Sequence, residues 1–251
     1  MKLDEIIYWG ILGSFYQVTE SIRTSPAMYY GLYIATVILI AVGAYFMGCI
    51  NFGIILSKKK FGEDIRTKGS GNAGATNMLR TYGKKVAVAT LLGDALKSVV
   101  SVGIGILIFG GIGGGAAALA CMIGHAYPCF YGFKGGKGVA VSAGAILVLD
   151  WRVFLILLAM FVIIVALSRY ISLGSVTVFL AFPMFVSKLN VVKETVNGEV
   201  VAGLRMPSIV VLFAFLMAAM GIFLHRENLK RLLSGTENKF SLKSKKDKAD
   251  E

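Results

Sequence analysis

The chain has 251 residues, of which 56% are hydrophobic and only 16% are charged. This balance excludes an ordinary soluble domain of the same length and makes the lipid bilayer the expected solvent. The formal net charge of +12 lies in short stretches between apolar segments and in the C-terminal tail, a layout that favours anionic lipid head groups and phosphorylated substrates over nucleic acid.

The first 29 residues are predicted to form an N-terminal extension. An apolar run from Ile6 to Tyr16 follows Asp4 and Glu5, and no small-x-small cleavage site precedes the rest of the chain. This pattern favours an interfacial helix over a cleaved signal peptide.

Seven apolar segments separated by charged breaks follow the extension. A bilayer core of ~30 Å needs roughly 20 apolar residues per helix, and all segments but one approach that length. The short segment, 138–149, cannot cross a full bilayer as an isolated helix. It has to be sheltered by neighbouring helices, lie where the membrane is thinned, or form a re-entrant segment. The pattern predicts an all-α integral membrane protein, a seven-helix transmembrane bundle with one short helix. The segments are residues 30–56, 86–110, 113–131, 138–149, 151–168, 171–189 and 207–225.

The positions of Lys and Arg predict the orientation, because cytoplasmic segments are enriched in both. They cluster in residues 57–85, at Lys134 and Lys137, at Arg169 and in the charged tail. Seven helices threaded from an outside N-terminus bring every cluster, and the C-terminus, to the cytoplasmic side. The tail is low in apolar residues and is predicted to be disordered. The chain thus divides into an extension at 1–29, a transmembrane domain at 30–238 and a cytoplasmic tail at 239–251.

The first polar segment with a chemical pattern runs from Lys68 to Arg80. Its three glycines let backbone amides approach a ligand, and its short polar side chains add further contacts, as in an oxyanion nest. The alternative is a turn that only connects two helices. The candidate binding residues are Gly69, Ser70, Gly71, Asn72, Gly74, Thr76, Asn77 and Arg80.

The second polar segment runs from Gly124 to Gly138 and leads directly into a helix. Two lysines three residues apart alternate with glycines, which combines positive charge with free amides at a helix N-terminus. The spacing differs from that of a Walker A loop. Positive-inside lysines alone would explain the charges but not the glycines, and His125 alone is more typical of a structural residue. The candidates are Lys134, Gly135, Gly136, Lys137 and Gly138.

The third polar segment begins at His225, where the last apolar segment ends. His225, Asn228 and Arg231 lie near one face of a helix, although a charged helix end is an equally good interpretation. Upstream, Ser172 and Ser175 share a helix face just after Arg169.

Ionisable residues inside apolar segments are functional candidates, and Asp94 and Lys97 are predicted to pair with each other. The three cysteines, Cys49, Cys121 and Cys129, fit neither a zinc site nor a disulfide framework, and they are interpreted as packing residues. Residues 111–115 are predicted to form a flexible turn.

Together the three polar segments resemble the signature motifs of the bacterial PlsY family of membrane-embedded acyltransferases. The matching stretches are Ser70-Gly-Asn-Ala-Gly-Ala-Thr-Asn-Met-Leu-Arg80, Phe133-Lys-Gly-Gly-Lys-Gly-Val139 and His225-x-x-Asn-Leu-x-Arg-Leu-Leu-x-Gly-x-Glu237. They occur in the family's order and spacing. Val141 stands where Thr is usual, and Ser98 stands where Gly is usual; both departures concern helix packing more than chemistry.

The resemblance covers about residues 30–240 and implies acyl transfer from acyl phosphate to the 1-hydroxyl of glycerol 3-phosphate, in phospholipid biosynthesis. It implies seven helices in the bacterial plasma membrane, with a cytoplasmic active site. Membrane lipids are expected partners, and no cofactor, metal, nucleic acid or obligatory protein partner is expected. The predicted catalytic residues are Ser70, Arg80, Lys137, His225 and Asn228. The predicted substrate-binding residues are the other candidates above, with Ser172, Ser175, Arg231 and Glu237.

The sequence also bears on the mechanism. The residues five positions after His125 and His225 are Phe130 and Lys230, so the His-x-x-x-x-Asp pair of many soluble acyltransferases is missing. Ser70 is not in a nucleophile elbow. Direct attack is therefore favoured, with a phosphate oxygen of the donor taking the hydroxyl proton. A transporter would show internal symmetry, and a CDP-alcohol phosphotransferase would need clustered Asp residues; neither pattern is present.

Overall fold

The structure is a computed structural model that describes residues 3–189, 191–196, 199–204 and 208–240. The predicted disordered tail lies mostly outside these residues. The described residues form eleven helices, two short 3₁₀ turns and one two-stranded sheet. The helices are α1 (Leu3–Val18), α2 (Glu20–Arg23), α3 (Pro26–Cys49), α4 (Phe52–Phe61), α5 (Ala75–Tyr82), α6 (Lys84–Ala126), α7 (Val139–Leu149), α8 (Trp151–Ser168), α9 (Ile171–Leu189), α10 (Ser208–Leu224) and α11 (Arg226–Leu233).

Helix α6 reverses direction in its middle. Phe109 (φ −142°, ψ 35°) and Gly110 (φ 56°, ψ −150°) leave the helical region, and the positive φ suits glycine. A Cβ on Gly105 would lie 3.0 Å from the Cβ of Ala117, whereas residues so far apart in a straight helix would be well separated. Two antiparallel arms, 84–108 and 111–126, therefore replace one long helix, as the predicted segments 86–110 and 113–131 required.

Residues 111–115 do not form the flexible turn that was predicted. All five are helical and buried at the start of the second arm. A Cβ on Gly114 would lie 2.6 Å from Ile106 Cγ1, and one on Gly113 would lie 3.0 Å from Phe109 Cβ. The glycines therefore allow the two arms to approach closely, which a run of glycines in sequence does not distinguish from a loop.

The short helix α7 packs against its neighbours, as the first of the three possibilities left open for it requires. Its buried face includes Val141, Ala145 and Ile146. A Cβ on Gly144 would lie 3.0 Å from the carbonyl carbon of Ala95, so α7 packs backbone to backbone on the first arm of α6. Close contact through small residues is a usual way for helices to associate in membranes.

Several helices are long and apolar enough to cross a membrane. They are Pro26–Phe61, Lys84–Tyr131, Trp151–Ser168 and Ile171–Leu189, with α10 and α11 forming a further span that is bent by 56°. The second of these contains the reversal in α6. The described residues therefore form a multi-pass membrane protein built of apolar helices, as the sequence predicted.

A β-hairpin lies between α9 and α10 and was not predicted. Strand β1 (Val191–Val196) pairs antiparallel with β2 (Glu199–Leu204), with Val196 opposite Glu199. The sequence carried a signal for it, because Asn-Gly at 197–198 separates two runs rich in β-branched residues. The all-α prediction therefore describes the membrane helices but not this connection.

The N-terminal helix α1 packs against the reversal in α6, at the end of the bundle opposite to the polar segments. A Cβ on Gly10 would lie 2.6 Å from the carbonyl carbon of Ile108. The Tyr16 hydroxyl and Thr36 Oγ1 form a hydrogen bond of 2.9 Å, which joins α1 to α3. The location of α1 at a membrane interface stays a prediction.

Candidate active site

The first polar segment is folded around the side chain of Asn77, which is buried. Its Oδ1 accepts a hydrogen bond from the Ser70 amide (2.9 Å), and its Nδ2 donates to the carbonyls of Lys68 (3.0 Å) and Asn72 (2.9 Å). Gly69 has φ 57°, and a Cβ there would overlap with the Asn77 amide group. Asn77 and Gly69 therefore set the shape of the loop.

Helix α5 follows this loop and carries Thr76 and Arg80 one turn apart. A small core under the loop contains Ile54, Ile65 and Met78, so the helix is anchored from below. Arg80 is partly buried, and its pKa is lowered by burial and by the positive charge of Arg231. The guanidinium is nevertheless charged at all physiological pH values.

The second polar segment folds back onto the end of α6. The amides of Gly135 and Gly136 donate to the carbonyls of Ala126 (3.0 Å) and His125 (3.1 Å). A Cβ on Gly136 would overlap with the His125 ring, and one on Gly135 would lie 2.8 Å from Pro128 Cδ. The prediction that these two amides are free for a phosphate is therefore wrong; the glycines are required by the packing of the loop.

Lys137, in contrast, extends from this loop toward the third polar segment and donates a hydrogen bond to Asn228 Oδ1. Burial, together with the nearby charges of Arg231 and Arg80, lowers the pKa of Lys137 to about 8. Lys134 is exposed, and its contribution to the loop is a carbonyl that accepts from Arg66 Nη1 (2.9 Å).

Glu237 organises the third polar segment. Its Oε1 accepts from Ser172 Oγ (3.1 Å) and Asn228 Nδ2 (2.9 Å), and its Oε2 accepts from Arg231 Nε (2.7 Å). Burial alone would raise the pKa of Glu237, but the hydrogen bonds from Asn228 and Arg231 outweigh it and lower the pKa. The carboxylate thereby fixes three other predicted site residues.

His225 lies at the bend between α10 and α11 and is buried. Its Nδ1 is 2.7 Å from the Gly221 carbonyl oxygen. Because a carbonyl only accepts, Nδ1 donates, and in the neutral ring Nε2 carries the lone pair. Ser175, on α9, donates to its own helix at Ile171 O (2.9 Å).

These side chains converge on one cavity of about 580 Å³. All the residues predicted to be catalytic line it, and so do Asn72, Thr76, Asn77, Gly138, Ser172, Ser175, Arg231 and Glu237. Among the predicted binding residues, Gly69, Gly71, Gly74, Lys134, Gly135 and Gly136 are absent from its lining.

The cavity has two chemically different parts. Arg80, Lys137 and Arg231 bring positive charge to one part, where Glu237 is the neighbouring carboxylate. The other part is lined by apolar side chains, and two of them, Val88 (52% exposed) and Leu91 (46% exposed), also lie on the outer surface of the bundle. The cavity can therefore hold an anion beside an apolar chain.

Comparisons with known proteins agree with this geometry. Residues 38–235 match the family model described as glycerol-3-phosphate acyltransferase. Proteins named glycerol-3-phosphate acyltransferase from Clostridioides difficile and Geobacter sulfurreducens are each 44% identical, with 82% and 81% of this chain and 96% of each relative covered. The chain belongs to the PlsY family of glycerol-3-phosphate acyltransferases.

Solved structures show the same fold for the acyltransferase. The crystal structure of PlsY (YgiH), an integral membrane glycerol 3-phosphate acyltransferase in its glycerol 3-phosphate form, superposes with a TM-score of 0.71 at 34% identity. Its lysophosphatidic acid form gives a TM-score of 0.69 at 32% identity. Each match covers 82% of this chain and 96% of the other. The family model begins at residue 38, so α1 and α2 of this acyltransferase lie outside the matched part.

Sequence reasoning missed several residues of the acyltransferase site. Lys84, His125 and Asn238 line the cavity, and Arg66 contacts the second polar segment. Arg66 Nη1 donates to the carbonyls of Tyr131 (2.5 Å) and Lys134 (2.9 Å). Its hydrogen bond to Asp64 lowers the pKa of that carboxyl to about 2, so the pair stays charged. Arg66 thus ties the turn just before the first polar segment to the second polar segment, a link for which the sequence has no signal.

Proposed function

We propose that this acyltransferase moves a fatty acyl group from acyl phosphate to the 1-hydroxyl of glycerol 3-phosphate, giving lysophosphatidic acid and phosphate in phospholipid biosynthesis. The observation that carries the proposal is the cavity, where Arg80 and Lys137 adjoin an apolar lining. Both substrates are phosphate anions, and one has a fatty chain. The related crystal structures are a glycerol 3-phosphate form and a lysophosphatidic acid form of PlsY (YgiH), which supports the acceptor and the product.

The reaction is direct attack within the cavity. The hydroxyl oxygen attacks the acyl carbon, the bond from that carbon to the phosphate oxygen breaks, and the hydroxyl proton passes to an oxygen of the departing phosphate. Arg80 and Lys137 hold the phosphate groups and neutralise the charge of the leaving group. Asn228 orients Lys137 through its Oδ1, and Ser70 contacts the anion from the loop above.

His225 offers an alternative base, because its Nε2 lone pair is not used by the bond to Gly221. If the hydroxyl proton passes to the departing phosphate, a His225→Ala variant should retain measurable turnover. A protein base predicts that turnover is lost together with the acid limb of the pH-rate profile.

We further propose seven transmembrane helices in the bacterial plasma membrane, with the N-terminus outside and the site on the cytoplasmic face. The two arms of α6 and the sheltered α7 supply the helices that length alone would miss. The basic residues of the three polar segments lie at one end of this arrangement, which suits the positive-inside rule.

The donor is tested with the purified chain and labelled glycerol 3-phosphate, without added protein, cofactor or metal. Acyl phosphate and acyl-CoA of the same chain length are compared at equal concentrations. With acyl phosphate as the donor, the label is expected in lysophosphatidic acid. One phosphate should be released for each acyl group transferred. Product formed only from acyl-CoA would overturn the assignment of the donor, and a chain active with neither would overturn the proposed reaction.

A further inference from the structure

A buried cluster of ionisable residues lies directly behind the cavity. Asp94 and Lys97 lie on the first arm of α6, and His125 lies at the end of the second; each is at most 4% exposed. The predicted pairing of Asp94 with Lys97 is confirmed, with 2.9 Å between Oδ1 and Nζ. The mechanism above uses none of the three.

The hydrogen bonds of Lys97 determine the protonation of His125. Lys97 Nζ lies 2.9 Å from Gly48 O, 2.6 Å from Ile50 O and 3.0 Å from His125 Nδ1. An ammonium group has three N–H donors and no acceptor, so Nζ, which also lies 2.9 Å from Asp94 Oδ1, cannot accept a hydrogen from Nδ1. Nδ1 of His125 therefore accepts, and the hydrogen of the neutral ring is on Nε2. Asp94 Oδ1, at 3.6 Å from Nδ1, is too far away to take that hydrogen in a normal hydrogen bond.

The Nε2 edge of the ring faces the second polar segment. The ring lies against Gly136, where a Cβ would meet it, and its Cδ2 would be 3.0 Å from that Cβ. The carbonyl oxygen of His125 accepts a hydrogen bond from the Gly136 amide (3.1 Å). This bond holds the loop against the residue that carries the ring. His125 also lines the cavity that contains Arg80 and Lys137.

We propose that His125 is a phosphate-binding residue, whose Nε2–H donates a hydrogen bond to a phosphate oxygen in the cavity. Lys97 and Asp94 are positioning residues, since Lys97 fixes the tautomer and Asp94 balances its charge. The inference rests on the proposed function for the identity of the phosphate. It also gives the two histidines opposite roles, because His225 donates from Nδ1 and presents a lone pair at Nε2.

Two substitutions of similar size separate ligand binding from a structural role. The Nδ2 group of Asn cannot reach as far as Nε2, but its Oδ1 can accept from Lys97; Gln carries an N–H donor near the Nε2 position. We expect His125→Asn to lose about 10- to 100-fold in kcat/KM, mainly through KM, the effect of one hydrogen bond to a charged group. His125→Gln should retain most of the activity. Lys188→Met, at an exposed position remote from the cavity, is the control.

The two phosphate sources are distinguished by varying each substrate in turn at saturating concentration of the other. A KM change confined to glycerol 3-phosphate assigns the bond to the acceptor, and one confined to acyl phosphate assigns it to the donor. A fully active Asn variant beside an inactive Gln variant, or two fully active variants, would refute the proposal.

Nitrogen NMR tests the same inference without activity and without a substitution at His125. The chain has only two histidines, so one His225→Gln sample assigns both imidazoles of ¹⁵N-histidine-labelled protein in detergent. The Nε2–H tautomer is expected at His125, and its Nε2 resonance should move when inorganic phosphate is added. In Lys97→Met the Nδ1–H tautomer should appear. A charged ring, an Nδ1–H tautomer or no response to phosphate in the wild-type chain would overturn the proposal, and this result decides the case if both variants are inactive.

The NMR readout also separates this inference from the proposed function. A wild-type chain that binds phosphate at His125 but transfers no acyl group would refute the reaction alone. A wild-type chain with full acyltransferase activity and a silent His125 resonance would refute the histidine contact alone.

Discussion

The charge of Lys137 should set the upper pH limit of the reaction. Its pKa is lowered from 10.5 to about 8, first by burial and then by the charges of Arg231 and Arg80. In the proposed reaction the protonated form binds phosphate, so kcat/KM should be constant below pH 8 and fall about tenfold per pH unit above it. The lowering corresponds to about 3 kcal/mol by which the empty site disfavours the ammonium. A bound phosphate reverses this effect, so the limb in kcat should lie at higher pH than the limb in kcat/KM.

Lys137→Arg tests the assignment, because a guanidinium stays protonated throughout the range. The variant should be slower and should have lost the alkaline limb. Lys137→Met should lose roughly 10²-fold in kcat/KM. Lys85→Met, exposed and outside the cavity, is the matched control. Initial rates with labelled glycerol 3-phosphate between pH 6 and 10 are the assay. An alkaline limb that persists in Lys137→Arg would refute the reasoning.

The remaining predictions concern Arg80, the second polar segment and the orientation of the chain in the membrane. Arg80→Met should lose about 10²-fold in kcat/KM. Arg80→Lys should lose about tenfold or more, because lysine lacks the planar guanidinium that can bind a phosphate at two points. Equal activity of Arg80→Lys and wild type would argue against a two-point contact. Gly136→Ala should raise the KM for glycerol 3-phosphate by displacing the His125 ring, and an unchanged KM would show that the loop tolerates the methyl group. In a chain lacking its own cysteines, Cys at position 63 should be shielded from an impermeant outside reagent in intact cells while Cys at 197 reacts; labelling at 63 would reverse the topology.

The membrane helices could be predicted because a bilayer imposes a length and a polarity that are local properties of the sequence. The reversal in α6 was expected for the same reason, but its position was misplaced. Residues 111–115 combine the glycines of a loop with the close packing of a helix pair, and only the partner helix shows which applies. The β-hairpin had a local signal at 197–198, but the hydropathy and charge that identify membrane helices do not report strand pairing in the segments between them.

The candidate site was predicted in its composition but not in its division of roles. Short polar residues and glycines in sequence suggest anion contacts, yet they do not show which groups the protein itself occupies. Asn77 is used by its own loop, and the amides of Gly135 and Gly136 are used by α6. His125 was interpreted as structural because its partners, Lys97 and Asp94, are distant in sequence. Such partnerships depend on tertiary contacts.

Arg80, Lys137 and Arg231 differ in the groups that hold them in the cavity, and from this difference we infer which of the three bind substrate. Arg231 is already paired with Glu237 (2.7 Å), so a phosphate would have to compete with a carboxylate for it. Lys137 uses one hydrogen for Asn228 and has two left. Among the residues that the structure describes, the guanidinium of Arg80 has no recorded hydrogen bond, although it is partly buried. A partly buried charge with too few partners is costly, and a phosphate that enters the cavity would reduce this cost at Arg80 and Lys137 together. We therefore expect Arg80 and Lys137 to exchange partners during turnover, and Arg231 to hold Asn228 in place together with Glu237.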